Sequence, residues 1–221
     1  KLKFNIKQFS SELIYFSKRN DFVIINRNEL LNKNYDFIFF FFKKILLNSF
    51  SFNEILSSKN WKNLNLFLSS KNLGKLFELP KNIFISQTNN KIYIFKTLNN
   101  KTIFNNKNIT GNYILRTGII SALVSNNNIY FKKNNGISIP FDEINKLKLE
   151  YWNKGDKYIS NEKKTLKVSD VFINNKLSFF EKHNYPIVKI SNKIIWIPEF
   201  FSKKSYSKNG PYIVLKWNSI L

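Results

Sequence analysis

The stretch from Glu150 to Phe200 constrains the fold more than any other part of the chain. It places a Gly-Asp turn, two helix starts and two adjacent strands close together. Val168 to Lys176 has the apolar spacing of a short helix. Ser178 is followed three residues later by a glutamate, which is the pattern of a capping box at the start of a second helix. Pro186 ends that helix, because the residue before a proline avoids the helical conformation.

Strands surround these two helices in the sequence. Short segments rich in isoleucine, valine and aromatic residues, separated by turn residues, predict strands. The predicted strands are Leu147 to Trp152, Ile187 to Ile190, Lys193 to Ile197 and Tyr212 to Trp217. The C-terminal part is therefore predicted to be a small α/β domain in which two short helices pack on a mainly antiparallel sheet.

Helical spacing dominates the N-terminal part. Apolar residues recur every three or four positions from Tyr35 to Phe50, which predicts a helix with a broad buried face. The apolar run from Phe37 to Phe42 is far shorter than the ~20 residues that a membrane span needs, so a buried helix is favoured. Weaker spacing predicts a short helix over residues 8–19. A capping-box pattern at Ser51 predicts the start of a further helix that ends near Ser70.

The pattern changes after Gly74, where short apolar segments alternate with turn residues and predict an antiparallel meander. Further strands are predicted at Asn112 to Thr117 and at Ile129 to Phe131. We therefore predict an α+β chain. Residues 1–145 hold a helical part followed by short antiparallel strands, and residues 146–221 form the C-terminal domain.

The charge balance favours a polyanionic partner. Lys and Arg number 36 against 14 Asp and Glu, which gives a net charge of +22, and nucleic acid is the obvious polyanion. Nearly all of the positive charge is lysine, whose point charge suits phosphate contact better than base reading. Lys, Asn, Ile and Phe also share AT-rich codons, so compositional drift is an alternative source of part of this charge.

The residue inventory restricts the available chemistry. The sequence has no cysteine, which excludes disulfides, thiolate nucleophiles and Cys-based zinc sites. His183 is the only histidine, and no two glycines are close enough for a phosphate-cradling loop. Glu150 and Asp156 are the carboxylates best placed to converge, and a structural turn is the favoured interpretation of that pair. No catalytic, cofactor-binding or metal-binding residue is predicted.

The segment from Lys157 to Lys167 is the best candidate for nucleic-acid contact. It is predicted to be a basic loop flanked by Trp152 and Tyr158, whose rings would stack on bases beside the phosphate contacts. A solvated loop of a lysine-rich chain is the competing interpretation. The predicted phosphate-binding residues are Lys154, Lys157, Lys163, Lys164 and Lys167, with Lys203 and Lys204 as a second group.

An ordered series of aromatic, glycine and basic positions runs through the C-terminal segment. It comprises Trp152, Lys154-Gly155-Asp156, Tyr158, Lys163-Lys164, Lys167-Val168-Ser169-Asp170, Phe172, Lys176-Leu177-Ser178, Glu181-Lys182 and Ile194-Ile195-Trp196-Ile197. This series resembles the C-terminal substrate-binding domain of bacterial tRNA(Ile)-lysidine synthetases. Residues 35–100 resemble the helical region of that family more loosely.

The resemblance implies that the full-length family member is an ATP-dependent carbon–nitrogen ligase. It adenylates the wobble cytidine of an isoleucine tRNA, and lysine then displaces AMP. The family's ATP-binding Ser-Gly-Gly-x-Asp-Ser loop is absent from these 221 residues. The chain starts at Lys1 and contains no methionine, so we expect it to be a C-terminal piece of a longer protein.

Under this interpretation, residues 1–145 are the central substrate-binding region and residues 146–221 the tRNA-binding domain. The implied partner is tRNA. ATP with Mg²⁺ and free lysine would be bound only through the missing domain, so no cofactor is expected in this chain. A cytoplasmic location without membrane association is expected, and a homodimer is left open.

Within the C-terminal domain, Gly155 and Asp156 are expected to set the turn that presents the basic segment. The expected core residues are Phe172, Leu177, Phe180 and Trp196. Two alternatives to the ligase interpretation stay open: a stand-alone basic RNA-binding or interaction module without catalytic activity, and a decaying remnant whose charge is drift alone.

Overall fold

The computed structural model describes residues 14–16, 22–53, 56–70, 73–96, 103–105, 109–203 and 210–220. The chain divides into two compact units, Lys1–Leu98 with Lys176–Phe180, and Asn99–Asn175 with Glu181–Leu221. Helices and antiparallel strands occur in both units, so the predicted α+β class is confirmed.

The described part of the first unit includes α1 (Arg27–Leu31), α2 (Tyr35–Phe50) and α3 (Ser58–Ser69). Asn34 caps α2, because its side-chain oxygen accepts a hydrogen bond from the backbone N–H of Phe37 at 2.8 Å. The predicted buried face of α2 is confirmed by Phe37, Ile38, Phe41, Phe42, Ile45, Leu46 and Phe50. No helix among the described residues is long and apolar enough to cross a membrane.

The first unit also contains a five-stranded antiparallel sheet. Its strands are β1 (Ile14–Phe16), β2 (Phe22–Asn26), β3 (Leu76–Leu79), β4 (Ile83–Gln87) and β5 (Lys91–Lys96). Their order is β1-β2-β5-β4-β3, and β3 to β5 confirm the predicted meander. Buried side chains of the sheet, such as Val23 and Ile94, form one hydrophobic cluster with Phe42 and Leu64 of the helices.

A buried amide connects this sheet to the end of α3. The Gln87 side chain is fully buried, and its Nε2 donates to the carbonyls of Phe67 at 2.8 Å and Ser70 at 3.1 Å. Its Oε1 accepts from Arg27 Nε at 3.2 Å, and Arg27 also donates to the carbonyl of Leu68 at 2.9 Å. The last carbonyls of α3, which have no partner within the helix, are therefore satisfied by side chains.

The strands of the second unit form two larger sheets and one hairpin. The first sheet has the order β15-β14-β13-β10-β6 and consists of β6 (Phe104–Asn105), β10 (Leu147–Tyr151), β13 (Pro186–Ile190), β14 (Lys193–Ile197) and β15 (Phe201–Ser202). The second has the order β7-β8-β16-β9 and consists of β7 (Gly111–Ile114), β8 (Gly118–Ser125), β9 (Gly136–Pro140) and β16 (Tyr212–Ser219). The hairpin pairs β11 (Lys157–Ile159) with β12 (Thr165–Lys167). The remaining elements are a 3-10 helix (Phe141–Lys146), α4 (Val168–Asn174) and α5 (Phe179–His183).

The two larger sheets of the second unit share one core. Its buried residues include Ile120 and Leu215 from one sheet and Leu149, Val188 and Trp196 from the other. The expected core positions Phe172 and Trp196 are fully buried in this unit. Phe180 is also fully buried and Leu177 is half-buried, but both belong to the first unit.

The domain division predicted after residue 145 falls inside the second compact unit. β9 lies before this position and pairs with β16 near the end of the chain. This pairing joins segments far apart in sequence, and a local change of pattern near residue 145 does not reveal it. The units themselves separate after Leu98. As folding domains, the spans 1–145 and 146–221 stay a prediction.

Two helix predictions are wrong. Ile14–Phe16, inside the predicted helix over residues 8–19, is a strand that pairs with β2, and the rest of that prediction lies outside the described residues. Ser51 does not begin a helix, because it ends α2 in the left-handed conformation with φ of 51°. The cap of α3 is Ser57, whose hydroxyl accepts from Asn60 N at 3.2 Å.

Two further predictions need correction. Ile129 to Phe131 is irregular, and the strands in this region are β8 and β9, which the sequence pattern did not indicate. The segment Lys157 to Lys167 is a hairpin and not a loop. β8 and β9 both pair with the distant β16, whereas the hairpin pairs two neighbouring strands whose residues give little local signal.

Replacing Gln87 with alanine should destabilise the first unit. The change leaves the Arg27 guanidinium and the α3 carbonyls with fewer partners in a buried site, at a cost of about 1–3 kcal/mol. Urea denaturation of the two proteins measures this difference. The matched control is Asn63→Ala on the exposed face of α3, which should change stability by less than about 0.5 kcal/mol.

Candidate nucleic-acid interface

A tight turn precedes the hairpin and fixes its first strand. The Asp156 N–H donates to the Asn153 carbonyl at 3.0 Å, and Asp156 Oδ2 accepts from the Asn153 N–H at 2.7 Å. Gly155 lies between them with φ of +99°, a conformation that a residue with a Cβ rarely adopts. The expected role of Gly155 and Asp156 in setting this turn is confirmed.

The other oxygen of Asp156 binds a buried ammonium. Lys189 on β13 is 9% exposed, and its Nζ donates to Asp156 Oδ1 at 2.9 Å while also contacting the Glu150 carboxylate on β10. Burial lowers the pKa of Lys189, but the hydrogen bonds to Glu150 and Asp156 outweigh it, so this pKa is raised overall. Glu150 and Asp156 therefore converge as a structural pair, with Lys189 as the counterion that the sequence interpretation missed.

The sequence around Lys189 does indicate that this lysine is buried. It stands in the apolar run Pro186 to Ile190, in which every residue is buried. A lysine at such a place must bring its own partners, because an unpaired buried charge is costly. Searching for nearby carboxylates on neighbouring strands would have led to Glu150.

The second strand of the hairpin is fixed just as closely. The Val168 N–H donates to the Asp156 carbonyl at 3.0 Å, so the start of α4 is tied to the start of β11. Val168 and Phe172 anchor α4 because both side chains are fully buried. The start of β11 and the end of β12 are therefore held next to each other where the hairpin joins the rest of the second unit.

The hairpin turn is closed by its own polar groups. The Ser160 N–H donates to the Lys164 carbonyl at 2.8 Å, and the Lys163 N–H donates to the Ser160 carbonyl at 2.9 Å. Lys163 adopts φ of 62°, and the Lys164 N–H donates to the Ser160 hydroxyl at 3.2 Å. The segment Asn161 to Lys164 is thus a defined turn.

Alternation along the two strands places Tyr158 and Leu166 on one face and Lys157, Ile159, Thr165 and Lys167 on the other. Tyr158 is 7% exposed, its ring centroid lies 4.5 Å from that of Phe201, and burial raises its pKa. On the opposite face, Lys157 and Lys167 are direct cross-strand partners and both are exposed. The prediction that the Tyr158 ring is available to stack on bases is therefore wrong. Trp152 is also half-buried, in edge contact with Phe172 at 5.5 Å.

The structure brings most of the predicted lysines together on this one element. Lys154 in the turn is exposed, as are Lys157, Lys163, Lys164 and Lys167 of the hairpin. Lys164 forms an ion pair with Glu162 at 3.0 Å, in which both side chains are largely in solvent, so that pair holds Lys164 weakly.

Of the second predicted group, Lys203 and Lys204, the structure describes only Lys203. Lys203 follows β15 and is exposed, and its backbone N–H donates to the Ile195 carbonyl at 2.8 Å. Asn161 of the hairpin turn and Lys203 line the same shallow groove. Lys203 therefore lies near the hairpin turn, whereas Lys204 lies outside the described residues.

The fold and this surface define an α+β protein with a lysine-bearing hairpin that is hydrogen-bonded at its base. A solved structure described as the crystal structure of the TILS C-terminal domain is similar to this chain. It has a TM-score of 0.48 and 18% sequence identity, and the match covers 55% of this chain and 99% of that one. No protein-family model matches the sequence, and no curated protein matches it.

Replacing Lys189 with methionine should destabilise the second unit by about 3 kcal/mol, because two carboxylates lose their buried counterion. The pKa of Lys189 is raised above the ordinary 10.5. Its contribution is therefore fully present below pH 10.5 and is lost as pH rises through the higher folded-state pKa. Urea denaturation at neutral pH should show the full difference, which should shrink in strongly alkaline solution.

Lys193→Met, at an exposed position on β14, is the control, and an equal effect there would contradict a special role for Lys189.

Proposed function

We propose that this chain is the tRNA-binding part of a tRNA(Ile)-lysidine synthetase-like protein. The observation that carries the proposal is the hairpin β11–β12, whose exposed face pairs Lys157 directly with Lys167. The ordered series from Trp152 to Ile197 that resembles this family passes through the same hairpin and its supports.

The charge arrangement favours a polyanion over solvent as the partner of this face. Like charges directly opposite each other on two strands destabilise the pair by roughly 0.2–1 kcal/mol. A phosphate backbone placed across Lys157 and Lys167 would remove that repulsion and release its own counterions. The direct pairing of Lys157 with Lys167 at the supported end of the hairpin gives such a partner a defined place to bind.

The chemistry of the side chains favours contacts to the backbone of folded RNA. Lysine ammonium groups contact phosphates without reading bases, and double-stranded RNA is recognised mostly by shape and backbone. The Asn153–Asp156 turn and Lys189 hold the hairpin in one orientation. A basic element held in this way suits contact with the backbone of a tRNA helix better than recognition of a base sequence.

The lysine-ligating reaction is assigned to residues beyond this chain. These 221 residues contain no Gly-Gly pair and hence no loop of the kind that would cradle ATP, so they do not fit ATP with Mg²⁺. The role proposed here is to hold the tRNA while the catalytic domain modifies it. The alternative is a stand-alone RNA-binding module. An open reading frame encoding Ser-Gly-Gly-x-Asp-Ser upstream of Lys1 would favour the ligase.

Reversing Lys163 and Lys164 to glutamate should weaken tRNA binding and flatten its salt dependence. Each lost phosphate contact should reduce the slope of log K against log salt by about one. A filter-binding titration between about 50 and 200 mM salt measures both quantities.

The matched control reverses Lys59 and Lys62 on α3, which are both exposed and change the net charge equally. It should bind tRNA more tightly than the hairpin variant. If both variants lose the same affinity and slope, binding follows net charge alone and the hairpin assignment fails.

A further inference from the structure

The connection between β8 and β9 holds an aromatic side chain out into solvent. Tyr130 is 73% exposed, more than any other large apolar or aromatic side chain in the described residues. Lys132 and Lys133 follow it and are also exposed. We call residues 129–135 the Tyr130 loop.

The Tyr130 loop is anchored at both ends. The Ile129 N–H donates to the Ser138 hydroxyl at 3.0 Å, and that hydroxyl donates to the Ile129 carbonyl at 2.8 Å. At the other end, the Asn134 carbonyl accepts from Trp196 Nε1 at 2.8 Å and from the Glu199 N–H at 2.7 Å. The exposure of Tyr130 is therefore a property of a fixed loop.

The neighbouring aromatic residue packs against the chain. Phe131 lies over Gly136, where a Cβ would lie 2.5 Å from its ring. Only glycine allows this close approach. The loop thus uses one aromatic ring as an anchor and presents the other.

Polar and cationic side chains line the groove beside the presented ring, together with Ile129, Phe131 and Ile137. This groove of about 100 Å³ is shared with Asn161 and Lys203. A cleft of about 640 Å³ shares Lys132 and Asn134 with the groove and is also lined by Lys133, Asn218 and Glu199. The Glu199 carboxylate accepts a hydrogen bond from the Tyr185 hydroxyl at 3.1 Å. The surface therefore combines an open aromatic face, amides and lysines.

We propose that the Tyr130 loop binds an unpaired nucleotide of RNA. The base stacks on the Tyr130 ring, and the adjoining phosphates contact Lys132, Lys133 and Lys203. Base-paired nucleotides keep their faces inside the helix, whereas an unpaired base can lie flat on an exposed aromatic ring. This inference rests on the proposed function and extends it, because the hairpin β11–β12 would grip the helical part of the same RNA.

A single-stranded RNA that contains one 2-aminopurine tests the proposal with the full chain. Wild-type protein should quench the fluorescence of this base on binding, because stacking quenches it. Tyr130→Ala should bind the strand roughly 5- to 100-fold more weakly and lose the quenching, and Tyr130→Phe should keep both. Binding of an RNA duplex should be unchanged in Tyr130→Ala. Tyr35→Ala on α2, a tyrosine that is 50% exposed, is the control and should behave as wild type.

Each other outcome overturns a defined part of the proposal. If Tyr130→Ala keeps wild-type affinity and quenching, Tyr130 is not a stacking site, and the proposed binding of duplex RNA by the hairpin is unaffected. Equal weakening of single strand and duplex would show a general surface effect and would also overturn it. If the wild-type chain binds neither RNA, the proposed function fails together with this inference, and a protein partner for the loop becomes the alternative to test.

Discussion

The position of the hairpin in the second unit depends on the ion pairs that the buried Lys189 ammonium forms. This ammonium lies between Glu150 on β10 and Asp156 in the turn before the hairpin. Removing a charge from water is costly unless partners replace the solvent, so this ion pair is formed only when β10, β13 and the turn are all in place. The side chain of Asp156 accepts a hydrogen bond from the Asn153 N–H, and its backbone carbonyl accepts one from the Val168 N–H. One residue therefore positions both the hairpin and α4.

The two basic surfaces of the second unit, the hairpin and the Tyr130 loop, are held in place in a similar way. In the hairpin, Tyr158 packs inward on Phe201 while Lys157 and Lys167 face out. In the Tyr130 loop, Phe131 packs over Gly136 while Tyr130 and two lysines face out. In both, a packed aromatic ring and backbone hydrogen bonds fix the backbone from which the lysine side chains extend.

Elements whose own side chains define the core were predictable. The three- and four-residue spacing of α2 and the alternation of β3 to β5 follow directly from burial of one face. The Gly155-Asp156 turn was predictable because its chemistry is local. Lys189 and the strands β8 and β9 were not found, since their partners lie far away in sequence. Tyr158 was misjudged because periodicity shows that two faces exist and does not show which one meets Phe201.

The sequence by itself determined the α+β class, the helical face of α2, the glycine turn and the concentration of lysine between Lys154 and Lys167. Those features depend on neighbours within a few residues along the chain. Only the tertiary structure decided that the basic segment is a hairpin, that Tyr158 is buried and Tyr130 exposed, and that Lys203 lies beside Asn161. The hairpin pairs two neighbouring strands, but the face of it that is covered depends on the packing of the whole unit, as do the exposure of Tyr130 and the position of Lys203.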